Sequence, residues 1–203
     1  MSNIYLTPEK EACAELIEKR SRFIGNIRHI NSEEEAIYYI KALKKKYYDA
    51  NHNAYAYITK DTKRYSDDGE PAKTAGLPIL DMLDNQKITD VVCVVTRYFG
   101  GVLLGTGGLV RAYTGAAKLA LETAGIKKML LHDSILLKIP YSQFDSAKYL
   151  ANECMCQFID CEYTDIISVS AICKKEDTSN FLEKLSSAFG VAIKAEIVGE
   201  IYC

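Results

Sequence analysis

The chain has 203 residues, 48% of them hydrophobic and 26% charged, with 12 Gly, 4 Pro and a formal net charge of −2. That leaves room for one large domain or two small ones with their own cores, and it excludes bulk disorder, collagen-like and low-complexity architectures. No apolar run nears the about 18 residues that cross a bilayer, and Met1-Ser2-Asn3-Ile4-Tyr5 lacks the form of a signal peptide, so no membrane partner and a cytoplasmic location are expected.

Ser21 to Ile30 alternates as a strand does, and Asn31-Ser32-Glu33-Glu34-Glu35 is a cap followed by an acidic first turn. A helix is predicted next, with Ala36, Ile37, Ile40 and Leu43 on its apolar face and Lys44-Lys45-Lys46 at its carboxyl end. Asn53 to Ile58 is a second strand, Asp67-Asp68-Gly69-Glu70-Pro71 is turn chemistry, and a short helix spans Ile79 to Leu83. The β-branched run Val91-Val92-Cys93-Val94-Val95 predicts a central strand covered on both faces. After a glycine-rich turn, Leu109 to Ala124 is helical and ends at Gly125. Leu109, Tyr113, Ala116 and Ala120 share its buried side, and Arg111, Lys118 and Glu122 share the open one. From Ser134 the pattern restarts. Strand 135–140, helix 142–152, strands 157–163 and 166–174, helix 177–189 and strand 192–201 give the order βαββαβ of a ferredoxin-like sandwich. The expectation is therefore an α+β chain with domains at 1–133 and 134–203.

Charge is unevenly shared. Residues 1–133 hold 19 Lys and Arg against 17 Asp and Glu, residues 134–203 hold 6 against 10, and all six arginines lie within the first 111 residues. Any anionic partner is thus expected to meet the first domain, although +2 spread over 133 residues is ordinary for a solvated surface. A strand ending in Thr96-Arg97-Tyr98, a turn carrying Gly100, Gly101, Gly105, Gly107 and Gly108, and a helix start form a recipe for anion binding, because convergent backbone N–H groups and the helix dipole favour negative charge. Arg97, Arg111 and Lys118 would flank the ligand. The same glycines also suit a sharp turn under an Ala-rich helix. Neither the P-loop nor the dinucleotide motif is met, since Thr106-Gly107 replaces Lys-Ser/Thr and Val110 stands at the third glycine.

His52, Asp67, Asp68 and Glu70 form the other polar, site-like group, with a hydrogen-bonded structural His and a solvated acidic turn as the plainer roles. No metal set with workable spacing, no cofactor motif and no catalytic constellation is found. The seven Cys are read as reduced thiols, Cys154, Cys156 and Cys161 among them, without disulfides.

Lys19 to Gly25, His52 to Tyr57, Ser66 to Pro71 with Thr74-Ala75-Gly76, and Val95 to Gly101 through Gly108-Leu109-Val110-Arg111-Ala112-Tyr113 resemble the IMPACT family, in particular its bacterial YigZ-like branch. The resemblance runs in order across residues 17–115. It departs from the family pattern at Ala54, where Cys is common, and at Lys73 and Leu77. It implies a first domain like the second domain of ribosomal protein S5, followed by a ferredoxin-like domain, both similar to the last domains of elongation factor G. It further implies a role near translation or nucleic acid, with no established enzymatic reaction; the leading expectation is a non-enzymatic protein that binds RNA or the ribosome through the glycine-rich face of its first domain. Two other readings stand beside this one. The first is an enzyme acting on a small phosphorylated or carboxylated ligand, with His52 as acid/base and Asp67 and Asp68 as metal ligands. The second is a protein-only adaptor using sheet edges.

Overall fold

The computed structural model describes residues 3–203. Ten strands and five helices follow in the order β1 (Ile4–Pro8), β2 (Ala12–Glu18), β3 (Ser21–His29), α1 (Glu33–Lys46), β4 (His52–Ile58), β5 (Lys63–Ser66), α2 (Gly76–Asn85), β6 (Val91–Tyr98), α3 (Gly105–Ala124), β7 (Ile126–Ile139), α4 (Phe144–Glu153), β8 (Gln157–Tyr163), β9 (Ile167–Lys174), α5 (Thr178–Phe189) and β10 (Lys194–Tyr202). Two compact units result: 5–128, and 129–203 together with the chain start through Ile4. Both are α+β, and the named strand pairs are antiparallel.

In the first unit the sheet order is β2-β3-β6-β4-β5, which puts β6 in the middle. Val91 to Val95 are all fully buried. The pleat sends alternate residues to opposite faces. Val91, Cys93 and Val95 join Tyr113, Ala116 and Ala120 of α3 and Ile79 and Leu83 of α2 in one core. Val92 and Val94 join Ala36, Ile40 and Leu43 of α1 in a second, on the other face. The cap signal at α1 is realised: Ser32 Oγ accepts from the Glu35 N–H at 3.3 Å, and the Glu35 carboxylate reaches back to the Asn31 N–H at 2.9 Å. That backbone hydrogen bond holds the Glu35 carboxyl below the usual carboxylate range. Close approach of α3 to β3 depends on Gly25, where a Cβ would lie 2.5 Å from the Ala116 carbonyl oxygen.

The second unit follows β7-α4-β8-β9-α5-β10, with β10, β7, β9 and β8 side by side in that order and β1 also on β7. Its core joins Ile135, Leu137 and Ile139 to Val169 and Ala171 of β9, Ala147 and Ala151 of α4, and Phe181 and Leu185 of α5.

Three expectations change. The two units meet at 128/129 where 133/134 was expected, and both positions lie inside β7, in which Asp133 pairs with Cys173 and Glu200, and Ser134 with Ile172 and Gly199. The pattern that restarts at Ser134 is the second half of one continuous strand, whose first half, 126–133, carries charged and polar residues at Lys127, Lys128, His132 and Asp133. Strands β1, β2 and β5, which the sequence reading passed over, lie next to stronger neighbours that supply their partners. Finally, Cys156 and Cys173 form a disulfide, contrary to the reduced-thiol expectation. The β8/β9 register explains it: Gln157 lies opposite Ile172, which brings the preceding and following cysteines face to face, with Cα atoms 4.3 Å apart.

Candidate functional site

At the β6 end of the first sheet, β4, β6 and β3 place His52, Arg97 and Phe23 in one row, since His52 and Phe23 both lie opposite Arg97 in their ladders. Glu70, from the turn after β5, and Tyr113, from α3, meet this row. Glu70 Oε1 accepts from Arg97 Nη1 at 2.6 Å and from the Tyr113 hydroxyl at 2.8 Å. The Glu70 and Arg97 side chains are 3% and 7% exposed, so the pair is a buried one. His52 Nε2 lies 3.9 Å from the same carboxylate oxygen. Its Nδ1 meets the Asp68 carbonyl oxygen at 2.8 Å, and a carbonyl can only accept, so Nδ1 carries the proton. Desolvation first, then the neighbouring Glu70 carboxylate, push the Tyr113 phenol far up, so its hydroxyl remains a donor. The rings of Phe23 and Phe99 lie 5.4 and 5.5 Å from the Arg97 guanidinium carbon. Arg97 Nε is buried and has no hydrogen-bond partner among the described residues.

The two neighbouring aspartates are structural. Asp67 Oδ1 accepts from the Ala75 and Gly76 N–H groups at 3.0 and 2.8 Å and Oδ2 from the Lys73 N–H at 2.8 Å, which satisfies the opening of α2. Asp68 Oδ2 accepts from the Asn53 N–H at 2.6 Å while Oδ1 pairs with Lys44 Nζ at 2.5 Å. All four carboxylate oxygens are thus engaged by protein donors, which removes the support for these two as a metal-binding pair. The carboxylate that pairs with Arg97 is that of Glu70, not of either aspartate.

The glycines divide into two kinds. At Gly100 a Cβ would fall 2.1 Å from the Arg20 carbonyl carbon, and its N–H donates to Ser21 Oγ at 3.1 Å, so this glycine serves close packing. Gly108 sits against the Leu104 side chain. Gly101, Gly105 and Gly107 have open space where a Cβ would stand. Helix α3 opens at Gly105, four residues before the predicted start, with no side-chain cap and no acidic residue in its first turn. Arg111 is therefore in its second turn. Arg111 and Lys118 are exposed on this helix, and Lys118 lies 3.9 Å from Glu122 one turn on. Three residues the sequence reading did not place in the site complete it: Tyr113, Phe99, and Asn51, which accepts from the Phe99 N–H at 2.8 Å and donates its own N–H to the Arg97 carbonyl at 3.1 Å, fixing the end of β6. A tyrosine where phenylalanine would fill the same buried helix position was the one signal on offer.

The sequence model described as "Impact N-terminal domain" matches residues 19–121, which contain every residue of this site. The chain belongs to the IMPACT family. It is 30% identical to the IMPACT family member YvyE of Bacillus subtilis over 90% of this chain and 86% of that protein. To the IMPACT family member YigZ of Escherichia coli it is 32% identical, over 83% of this chain and 85% of the relative. A solved structure described as "Crystal structure of an hypothetical protein" is 28% identical and superposes with a TM-score of 0.67, covering 98% of this chain and 99% of that one. Membership of the IMPACT family thus extends over both units, with the Arg-Tyr-Phe-Gly-Gly segment at its centre. Among the described residues no helix is long and apolar enough to cross a membrane.

Proposed function

We propose that this IMPACT family member is a non-enzymatic, translation-linked cytoplasmic protein that binds RNA or the ribosome through the glycine-rich face of its first unit. The observation that carries this reading is the start of α3. Its N-terminal N–H groups lack a side-chain cap, Gly101, Gly105 and Gly107 leave its approach unobstructed, and Arg111 and Lys118 stand exposed along the same helix. Positive dipole, free donors and two cations on one element suit a phosphate backbone. The first unit is read as the S5-second-domain type and the second as a ferredoxin-like sandwich, for which its βαββαβ order and the β10-β7-β9-β8 arrangement speak.

Arg111→Glu tests it. Arg111 is exposed and forms no ion pair among the described residues, so the fold should persist. In the second turn the new acid gains little from the dipole, and repulsion from phosphate should dominate. Co-sedimentation with ribosomes and binding to single-stranded RNA across a salt series should both weaken, with a shallower salt slope. A folded Arg111→Glu protein that binds both as the parent does refutes the reading.

A further inference from the structure

The guanidinium of Arg97 offers two edges. Nη1 is committed to Glu70. The other edge, formed by Nε and Nη2, is the planar fork that takes two oxygens at once. Elsewhere in this unit Arg22 shows that use: its Nε and Nη2 hold the two oxygens of Glu15 at 3.3 and 2.8 Å. On Arg97 no carboxylate meets that edge, and Nε is a buried donor without a protein partner. Such a donor is costly to leave unmet. The surrounding structure spends effort to hold the group flat and in place: Glu70 and Tyr113 fix one edge, Phe23 and Phe99 lie against the guanidinium, and Asn51 pins the backbone on either side of Tyr98. Phe99, whose ring packs against the guanidinium, is itself 45% exposed, while Arg97 is 5% exposed.

We propose that Arg97 is a receptor for a single oxyanion bearing two coplanar or near-coplanar oxygens, a carboxylate or a phosphodiester group, which its Nε–Nη2 edge grips. Charge selects within that class. Glu70 already balances the cation, so a group with one negative charge leaves the cluster at one net negative charge, whereas a phosphate dianion would leave it at two. The site is separate from the exposed α3 cations invoked above, and it stands or falls without them.

The test needs no variant. In full-length protein with nitrogen-15 arginine, the Arg97 Nε–H resonance is identified by its contacts to the Phe23 and Phe99 rings. Acetate, dimethyl phosphate and inorganic phosphate are then titrated separately at constant ionic strength, with chloride as the control. A saturable shift of the Arg97 signal with acetate or dimethyl phosphate, weaker with phosphate at a pH where it is doubly charged, is the expected result. Saturation by acetate alone names a small carboxylate, and saturation by dimethyl phosphate names a nucleic-acid backbone. No saturable shift with either, or the same shift with chloride, overturns the proposal and leaves Nε to water. Repeating the titration on Arg111→Glu should reproduce the parent curve, which separates failure here from failure of the α3 reading.

Discussion

Replacing Glu70 with Leu strikes the centre of the buried cluster. In the parent, the Arg97 cation and the Tyr113 hydroxyl both discharge onto one carboxylate oxygen, and less than a tenth of either charged side chain is exposed. Leu fills the space but strands both donors. Removing one partner of such a pair costs about 3–5 kcal/mol, because an uncompensated charge stays out of water. Tyr113→Phe, which keeps the pair and removes one hydrogen bond to a charged acceptor, should cost about 1.5–3 kcal/mol. The double variant Glu70→Leu/Arg97→Met exchanges the pair for apolar groups and should be less destabilised than Glu70→Leu alone. By contrast Glu15→Gln, at the ion pair with Arg22 whose side chains are 39% and 52% exposed, should be barely measurable. Urea unfolding by circular dichroism gives the total. Hydrogen exchange at β6 amides assigns the change to the first unit, because the two units need not unfold together. A cost below about 1 kcal/mol for Glu70→Leu, the range of exposed pairs, or a double variant equal to the sum of its singles, would refute the claim that these groups form one buried unit.

Gly107→Ala should stabilise the chain by about 0.4–1 kcal/mol, since it replaces a glycine in the first turn of α3 where a Cβ meets open space, whereas Gly100→Ala must displace the Arg20 backbone; melting temperatures with opposite shifts are expected. Burial, then the hydrogen bond to Glu33, push the Tyr57 phenol from 10 up to about 12. A raised folded value means that its contribution is whole below pH 10 and is lost between pH 10 and about 12; a tyrosinate absorbance titration in which every tyrosine ionises near 10 with the fold intact would contradict this. Limited proteolysis should spare 133–134, paired on both sides within β7, and begin at the exposed turn around Leu103, which is 83% exposed; early products cut at 133 or 134 would argue against β7 as one strand.

The strand–helix alternation of both units could be read from the chain because local signals agree with the fold there. The Ser32 cap, the Val91–Val95 run and the small-residue stripe of α3 each act over a few residues. The site was legible as a set of residue types but not as a set of partners. His52, Glu70, Arg97 and Tyr113 are brought together by ladder register and by the placement of α3, neither of which spacing encodes. Arg97 looked like a surface cation at a strand end, yet the pleat turns it towards the helices, where Glu70 is the carboxylate that neutralises it. The Cys156–Cys173 pair was hidden for the same reason, since it depends on the register of a hairpin and not on sequence spacing alone.

Placing β6 between β3 and β4 also sets a timetable for synthesis. Neither β3 nor β4 has its other neighbour across the middle of the sheet until Val91–Tyr98 has left the ribosomal tunnel, and the helix that seals the face beneath it follows only at Gly105–Ala124. At about 5–20 residues per second, the earlier strands wait several seconds with unpaired edges. The five-residue apolar segment Val91–Val95 then emerges as the piece both edges require. A nascent chain of this kind is most prone to misassociation just before its middle strand arrives, and holding factors that bind extended apolar segments should act in that interval.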